Sequence, residues 1–325
     1  MSSVLRARYI LLMSLSLRFL GTSAARPTVE RNVTSIALVR EGETLLFDCG
    51  EGTQRQIMRY GVGFAMNDIF FTHFHTDHLV GLIGLTRTMA LQGRTDLLRL
   101  FGPPGAHKAL RACIAFGGER LTFPVEIAEL EAGAILDRKD YSVHVVAADH
   151  RGATAVGYAL VEKIRLGRFN PDIARQMGIP EGPLWGRLHR GEVIELPDGR
   201  RVDASMLVGA PRAGRKIVIS GDSRPTAGLQ AMAEQADVLI HEATFGDDEA
   251  DRAVETGHST AREAATLAHA AGARRLLLTH FSARYSRDPG DLVTQAQSVF
   301  ASTVAARDGL EIEVPFEAEA DVHVV

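Results

Sequence analysis

The chain has 325 residues, of which 46% are hydrophobic and 23% charged, a composition typical of one or two globular domains with a sizeable buried core. The formal net charge of −4 excludes a generally basic nucleic-acid-binding surface, so any contact with RNA or DNA must be local. Two cysteines, Cys49 and Cys113, are too few for a disulfide framework and favour a reducing compartment.

The N-terminal residues allow two interpretations. The apolar run 9–20 follows two arginines, as in a signal peptide, but Arg18 interrupts it. The alternation over residues 15–19 predicts an edge strand instead. Met13 is an alternative start, which would make residues 1–12 an N-terminal extension. The sequence has no apolar run of about 18 residues, so we expect no transmembrane helix and a cytoplasmic protein.

The first half of the chain predicts short strands that alternate with helices. Residues 34–40 and 44–48 alternate as a β-hairpin, and Thr53 is a candidate cap for the helix that follows. Residues 68–71 are an apolar strand, and 78–91 have apolar residues at helical spacing. The later predicted elements are a helix at 107–116 and strands at 97–101, 141–147, 156–161, 216–220, 238–240 and 275–279.

The stretch Phe-Thr-His-Phe-His-Thr-Asp-His at 71–78 carries four potential metal ligands directly after an apolar strand: His73, His75, Asp77 and His78. A loop that begins where a strand ends can direct several side chains to one point, whereas neighbours on a strand point to opposite faces. Imidazole and carboxylate groups suit zinc and its first-row neighbours. A histidine-rich surface turn is the alternative, but an HxHxDH spacing is far more specific than a lone HxH.

Three later strands also end at a histidine or an aspartate. The strand at 141–147 is followed by His150, the strand at 216–220 by Asp222, and the strand at 275–279 by His280. One such residue is usually a structural hydrogen bonder. Strand ends converge at one edge of stacked α/β sheets, however, so four of them together predict one site with seven candidate ligands.

The HxHxDH loop resembles the metal-binding motif of the metallo-β-lactamase superfamily, whose α/β fold is a four-layer αβ/βα sandwich. The resemblance implies a single domain over residues 13–325 with two zinc ions per chain, or manganese as the alternative. It divides the ligands into His73, His75 and His150 on one ion and Asp77, His78 and His280 on the other, with Asp222 as the bridge. Many β-lactamases have a cysteine in the bridging region, so Asp222 favours phosphoester or ester chemistry.

Further motifs, in the same order along the chain, resemble the short bacterial form of the ribonuclease Z family. They are FGPPG at 101–105, SGDSRP at 220–225, HEATF at 241–245, GHSTA at 257–261 and THFSARY at 279–285. The resemblance implies an endonuclease that removes the 3′ trailer of precursor tRNA by hydroxide attack on the phosphodiester. Asp77 would orient or deprotonate the nucleophile, while His258 and Glu242 would act as a pair near the leaving oxygen.

Several residues near these motifs have more than one interpretation. His258 could merely cap the next helix, but Thr260 and Glu263 already form a capping-box pattern there. Arg284 has the geometry to clamp a phosphate, and a solvated surface arginine is the alternative. Asp48 and Asp149 are expected to support neighbouring ligands rather than to bind metal.

Residues 163–190 do not fit a compact sandwich. They carry six Lys or Arg residues against two acidic ones, together with Trp185. A loop of this length is usually functional or disordered, and it resembles the protruding basic arm by which ribonuclease Z binds the tRNA body. The arginines expected to bind substrate are Arg165, Arg168, Arg175 and Arg187. A solvated charged loop is the alternative.

Two other functions compete with precursor tRNA cleavage. A small-molecule phosphodiesterase or arylsulfatase-like esterase of the same fold would have no use for a basic arm, and a metal-free RNA-binding relic would not need seven ligands. The family resemblance also implies a homodimer in which each arm serves the partner's site. The acidic tail at 287–325, helical over 292–306 and strand-like at its end, indicates no role.

Overall fold

The structure is a computed structural model that describes residues 14–116 and 120–316. The predictions of an extension at 1–12 and of a start at Met13 therefore lie outside the described residues, as does the end of the acidic tail. None of the described helices is long and apolar enough to span a bilayer.

The first sheet has seven strands: β1 (Leu15–Gly21), β2 (Ser35–Arg40), β3 (Glu43–Phe47), β4 (Asp68–Phe70), β5 (Leu98–Gly102), β6 (Val125–Glu129) and β16 (Glu311–Glu313). Their order is β16-β1-β2-β3-β4-β5-β6. Strands β3 to β6 are parallel, and β2 and β3 form the predicted hairpin. The expected edge strand is wrong, because β1 pairs with β2 on one side and β16 on the other. Leu17 lies opposite Ile312, a partner that local patterns cannot reveal.

The second sheet also has seven strands: β7 (Ile135–Asp137), β8 (Tyr141–His150), β9 (Ala153–Glu162), β12 (Lys216–Ile219), β13 (Val238–Glu242), β14 (Leu276–Thr279) and β15 (Thr303–Ala305). Their order is β15-β14-β13-β12-β9-β8-β7, and β12 to β15 are parallel. The helix expected over 292–306 is wrong in its second half. That helix ends at Gln297, and the chain then enters β15.

The two sheets pack face to face through aromatic side chains. The rings of Phe47, Phe70 and Phe101 stack along the first sheet, with centroids 5.2 and 4.8 Å apart. Tyr158 of β9 lies 5.4 Å from Phe70, edge on, and its hydroxyl donates to the Phe71 carbonyl at 2.6 Å. Because side chains alternate along a strand, the neighbouring residues Ile69 and Phe71 point to the opposite face.

Helices cover the outer faces of both sheets. Outside residues 161–215, the described helices are α1 (Thr53–Tyr60), α2 (Thr76–Leu79), α3 (Gly81–Leu91), α4 (Ala106–Ala115), α7 (Ala227–Met232), α8 (Ala250–Thr256), α9 (Ala261–Ala270) and α10 (Gly290–Gln297). Apolar residues of α1, α3 and α4 share a core with Ile69 and Phe71. The expected cap Thr53 is wrong. Gly52 occupies the cap position at φ 78°, and the Thr53 hydroxyl donates to the Gly50 carbonyl.

Residues 138–142 and 161–215 form a second compact unit. It contains α5 (Pro171–Gln176), α6 (Pro183–His189) and a hairpin of β10 (Ile194–Glu195) and β11 (Arg201–Val202). Apolar residues such as Leu188 and Val202 form its own small core, and the Trp185 indole donates to the Ile179 carbonyl at 3.1 Å. The stretch expected as a loop is therefore helical and packed. Where the chain enters and leaves, Glu162 and Arg215 form a buried ion pair at 2.8 Å.

Candidate metal centre

Seven side chains meet where strands of both sheets end: His73, His75, Asp77, His78, His150, Asp222 and His280. The loop after β4 and helix α2 supply the first four, while β8 ends at His150. Asp222 and His280 follow β12 and β14. All of these residues are buried except His75. The structure thus brings together every residue that the sequence nominated as a ligand.

One half of the cluster can surround a single ion. His73 Nε2 lies 3.0 Å from His75 Nδ1, which lies 3.2 Å from His150 Nε2. Asp222 Oδ2 lies 3.7 and 3.9 Å from the Nε2 atoms of His73 and His150. Tetrahedral zinc with ligands at about 2.0–2.1 Å separates its ligand atoms by about 3.3 Å. These four atoms fit such an ion after small adjustments.

The other half fits more closely. His78 Nε2 and His280 Nε2 are 3.4 Å apart. Asp77 Oδ2 lies 3.5 Å from the former and 3.4 Å from the latter, and Asp222 Oδ2 lies 3.3 and 3.2 Å from the same two nitrogens. Five edges of a tetrahedron are therefore within about 0.2 Å of the zinc value. One oxygen, Asp222 Oδ2, belongs to both halves.

The histidines are oriented by contacts on their other ring nitrogen. His150 Nδ1 meets the Gly257 carbonyl at 2.9 Å, His280 Nδ1 meets the Thr244 hydroxyl at 2.9 Å, and His73 Nδ1 meets the Thr72 hydroxyl at 3.1 Å. A partner of this kind fixes the tautomer and leaves Nε2 available to a metal. The ring orientations therefore suit metal binding.

Asp48 has the same supporting role for His78, as the sequence suggested. Its Oδ2 lies 2.8 Å from His78 Nδ1, and it also accepts from the Thr72 backbone and hydroxyl at 2.8 and 2.9 Å. Asp48 and His280 both have φ 58°, a left-handed conformation uncommon outside glycine and concentrated at functional sites. Asp149 differs, since its side chain is exposed and its backbone bonds to Ser223 and Arg224.

The protonation states in the cluster are those of a cation site. Burial and the neighbouring His78 hold the pKa of His73 well below its ordinary value, which keeps that ring neutral. Burial would raise the pKa of Asp222, but His280 and His78 outweigh it and hold that pKa well below the ordinary value. Burial would likewise lower the pKa of His78, but Asp222 and Asp48 raise it well above normal. A metal can replace the proton that these carboxylates attract.

Beside the ligands, His258 and Glu242 form a pair. His258 Nδ1 lies 2.8 Å from Glu242 Oε1, and the buried Glu242 also accepts from the Ser223 amide and from the amide and hydroxyl of Thr244. Burial lowers the pKa of His258, but Glu242 raises it to about 9. Within residues 14–116 and 120–316, His258 Nε2 has no hydrogen-bond partner. Thr260 and Glu263 form the predicted capping box, which confirms that His258 is not needed as a cap.

The small-residue loop after β1 also reaches the site. The Ala25 amide donates to Asp77 Oδ2 at 2.7 Å, and Ala25 itself has φ 59°. The anion that its backbone contacts is the Asp77 carboxylate.

The predicted substrate-binding arginines differ from one another in their partners and in their exposure. Arg284 forms an ion pair with Glu249. In the second unit, Arg175 pairs with Asp172 and Glu181, and Arg187 pairs with Glu192. Arg168 is exposed, whereas Arg165 is half-buried and pairs through its backbone with Arg212. Local acids therefore balance part of the positive charge, and the binding roles of these arginines stay predictions.

Sequence reasoning missed two hydroxyl groups that organise the site. Thr244 contacts Glu242 and His280, and lies 3.3 Å from His258. Thr72 links Asp48 to His73. Both threonines lie within two residues of a site residue, which is a weak signal that nothing distinguishes from ordinary strand threonines.

Two mixed sheets flanked by helices, with a histidine–aspartate cluster at the strand ends, define a metal-dependent hydrolase of the metallo-β-lactamase superfamily. Residues 190–281 match the family described as the beta-lactamase superfamily domain, and residues 15–163 match that of the anti-Pycsar protein Apyc1.

Relatives identify the branch of that superfamily. The chain is 64% identical to a ribonuclease Z of Gemmatimonas aurantiaca and 54% identical to one of Myxococcus xanthus, over 94% and 93% of this chain and 98% of each relative. The crystal structure of human tRNase Z, short form, superposes with a TM-score of 0.67 at 29% identity, over 93% of this chain and all of that one. The chain belongs to the ribonuclease Z family.

Proposed function

We propose that this ribonuclease Z cuts precursor tRNA with two zinc ions, each held by four side chains with Asp222 shared. Endonucleolytic processing of the 3′ end of tRNA is the activity of the family to which the chain belongs. The observation that carries the two-ion arrangement is the position of one oxygen. Asp222 Oδ2 lies 3.2, 3.3, 3.7 and 3.9 Å from the Nε2 atoms of His280, His78, His73 and His150.

The donor set supports zinc. Five imidazoles and two carboxylates are ligands that zinc accepts, with manganese as the alternative. His73, His75, His150 and Asp222 would hold one ion; Asp77, His78, His280 and Asp222 would hold the other. When bound, such a pair lowers the pKa of water and stabilises charge on the phosphoryl oxygens.

The remaining roles fall to protein groups around the ligands. Asp77 orients or deprotonates the nucleophile, and the Ala25 amide keeps its carboxylate in place. Glu242 holds His258 through Nδ1, which directs the other ring nitrogen away from Glu242. In the metal-free protein a pKa of about 9 keeps His258 protonated at neutral pH, and its Nε2–H is the group proposed to donate to the leaving oxygen or to stabilise its charge.

The direct test combines metal analysis with cleavage. Purified protein should contain close to two zinc ions per chain, and should cut a precursor tRNA carrying a 3′ trailer to leave a 3′-hydroxyl. Asp222→Ala should lower the content of both ions, since both halves lose a ligand. Asp149→Ala is the matched control, because the exposed Asp149 side chain adjoins a ligand without contacting the cluster. A content of one ion that Asp222→Ala leaves unchanged would overturn the shared-oxygen arrangement.

We also propose that the second unit is a tRNA-binding insert within a single catalytic domain at 13–325. The support is the basic excess of residues 163–190, six Lys or Arg against two acids, and Arg165, Arg168, Arg175 and Arg187 are the proposed contacts. Arg284 is proposed to contact a phosphate nearer the ions, after exchanging its Glu249 partner.

The structure suggests how to remove the insert cleanly. Because the Glu162 amide donates to the Arg215 carbonyl at 2.9 Å, the two ends are already adjacent. Replacing residues 163–214 by a short glycine turn should weaken precursor binding and flatten its salt dependence, while hydrolysis of a small chromogenic phosphodiester survives. If tRNA binding is unchanged, the segment is not a binding arm. If small-substrate hydrolysis also fails, it is part of the catalytic domain.

Two further parts of the proposal are a homodimer and a cytoplasmic location. The homodimer rests on the family resemblance, and the two buried, unpaired cysteines suit a reducing compartment. Light scattering of the purified protein tests the first, and fractionation of cells tests the second.

A further inference from the structure

A cleft of about 1030 Å³ takes no part in the roles described above. Its walls come from the segment after β1, from helix α1, and from residues 286–289 and 305–309. Four arginines line the opening: Arg55 and Arg59 on α1, Arg287, and Arg307. We call it the α1 cleft.

Within the described residues, three of the four exposed arginines of the α1 cleft have no acid partner, whereas Arg287 pairs with Glu30. Exposed arginines such as Arg175 and Arg262 form ion pairs with acids. Arg55, Arg59 and Arg307 are exposed, yet in the described part of the chain they form no salt bridge and no side-chain hydrogen bond. Glu30, Glu51 and Asp308 also line the cleft, but five arginines outnumber these three acids, so the local charge is positive although the whole chain is net negative.

The floor of the α1 cleft is rigid. The buried Arg31 donates to the Ser286 and Ala306 carbonyls, both at 2.8 Å, and lies over the Phe281 ring. Asp308 accepts from the Asn32 amide at 2.6 Å and from Gln56 at 2.8 Å. The segments that form the walls are therefore tied together, so the exposed arginines are presented on a fixed frame.

Two chain segments connect the α1 cleft to the metal centre. Ala25, whose amide bonds to Asp77, is two residues before Pro27 at the cleft wall. Two residues span at most about 7 Å. His280 is likewise followed, after one short 3-10 turn, by Ser286 and Arg287 of the wall. The cleft wall is therefore joined to residues of the metal centre by two short chain segments.

We propose that the α1 cleft binds the single-stranded 3′ trailer of the precursor through its phosphates, with Arg55, Arg59 and Arg307 as the contacts. The inference rests on the proposed function, because it takes precursor tRNA as the substrate. A cleft of this size admits a few nucleotides of single strand, and the trailer is the part of the substrate that extends past the cut without pairing.

The lining also indicates how the trailer is recognised. Single-strand binders usually stack bases on aromatic rings, but the aromatic residue of the α1 cleft, Tyr60, is covered by Arg59 at 5.5 Å and by Gly309. Phosphate contacts therefore dominate. Binding should depend on salt and on trailer length, and hardly on trailer sequence.

The test compares Arg55→Ala/Arg59→Ala with the unmodified enzyme on two precursors, one with a trailer of about ten nucleotides and one with a single nucleotide. Each lost contact to a single strand lowers the salt slope by about 0.7, so the double variant should lose about 1.4 units on the long trailer. Between 50 and 200 mM salt, the unmodified enzyme should then lose about sevenfold more affinity than the variant. On the one-nucleotide precursor the two enzymes should agree.

Lys108→Ala/Arg111→Ala is the matched control, because it removes two exposed charges from one helix, α4, outside the α1 cleft. It should leave the difference between long and short trailers unchanged. If Arg55→Ala/Arg59→Ala weakens mature tRNA and both precursors equally, the cleft holds the tRNA side and the trailer assignment is wrong. If no variant changes the length dependence, the cleft binds no RNA. Cleavage of precursor by the unmodified enzyme tests the proposed function separately.

Discussion

Replacing Asp48 by asparagine should weaken binding of the metal ion at His78 while leaving the fold intact. The Asp48 carboxylate accepts three hydrogen bonds, from His78 Nδ1, the Thr72 amide and the Thr72 hydroxyl. Asparagine keeps the shape, and it tolerates the left-handed conformation at φ 58° better than most residues do. The substitution therefore changes one acceptor into a donor with little added backbone strain.

The size of the effect follows from where the new NH₂ group must point. Facing His78, it meets an N–H and favours the tautomer with the proton on Nε2, the atom that lies 3.3 Å from Asp222. Flipped, it meets the Thr72 amide and leaves a buried donor unsatisfied, at a cost of about 1–3 kcal/mol. Neither orientation of the asparagine amide satisfies both His78 and Thr72. Loss of such a supporting contact typically lowers metal affinity about 10–100-fold, or about 1.4–2.7 kcal/mol.

Competition with a chromophoric zinc chelator measures this directly. Asp48→Asn should lower the affinity for the ion coordinated by His78 by that factor. The affinity for the ion at His73, His75 and His150 should change less. Asp149→Asn, an exposed neighbour of His150, should change neither. Two zinc affinities within twofold of the unmodified protein in Asp48→Asn would refute the role assigned to Asp48.

Three further outcomes are expected. In the metal-free protein, NMR titration should find the His258 imidazole still protonated until about pH 9. Glu242→Gln removes the carboxylate that raises this pKa, so the pKa should be lower in that variant. An unchanged pKa would contradict the pairing. Arg215→Met should lower the free energy of unfolding, measured in urea, by about 3–5 kcal/mol, because it leaves Glu162 buried and charged. The double variant Glu162→Leu/Arg215→Met should recover most of this stability. A double variant as unstable as the single one would count against the prediction. Chelation should lower the melting temperature, since each ion at 100 times its Kd adds about 2.7 kcal/mol, and zinc should restore less of it in Asp222→Ala.

Sequence reasoning succeeded where the structural cause is local. Each ligand follows an apolar strand, so strand patterns and the convergence of strand ends were sufficient to group His73, His150 and His280. One error concerns a partner distant in sequence. The pairing of β1 with β16 depends on residues that follow the last ligand, and no alternation within 15–19 can reveal it. The second unit was mistaken for a loop because its two helices are short and its core is small.

The metal centre also has a consequence for the order of folding events. Each half of the cluster takes two ligands from the first sheet and two from the second, with Asp222 counted in both. Neither half can bind an ion tightly until the two sheets have docked. Contacts to a bound metal would therefore be absent from a transition state that precedes docking. Interactions of that kind slow unfolding and leave the rate of folding almost unchanged. We expect the metal to bind last during folding and to be released first during unfolding. Loss of the metal should then shorten the lifetime of the native state rather than prevent its formation.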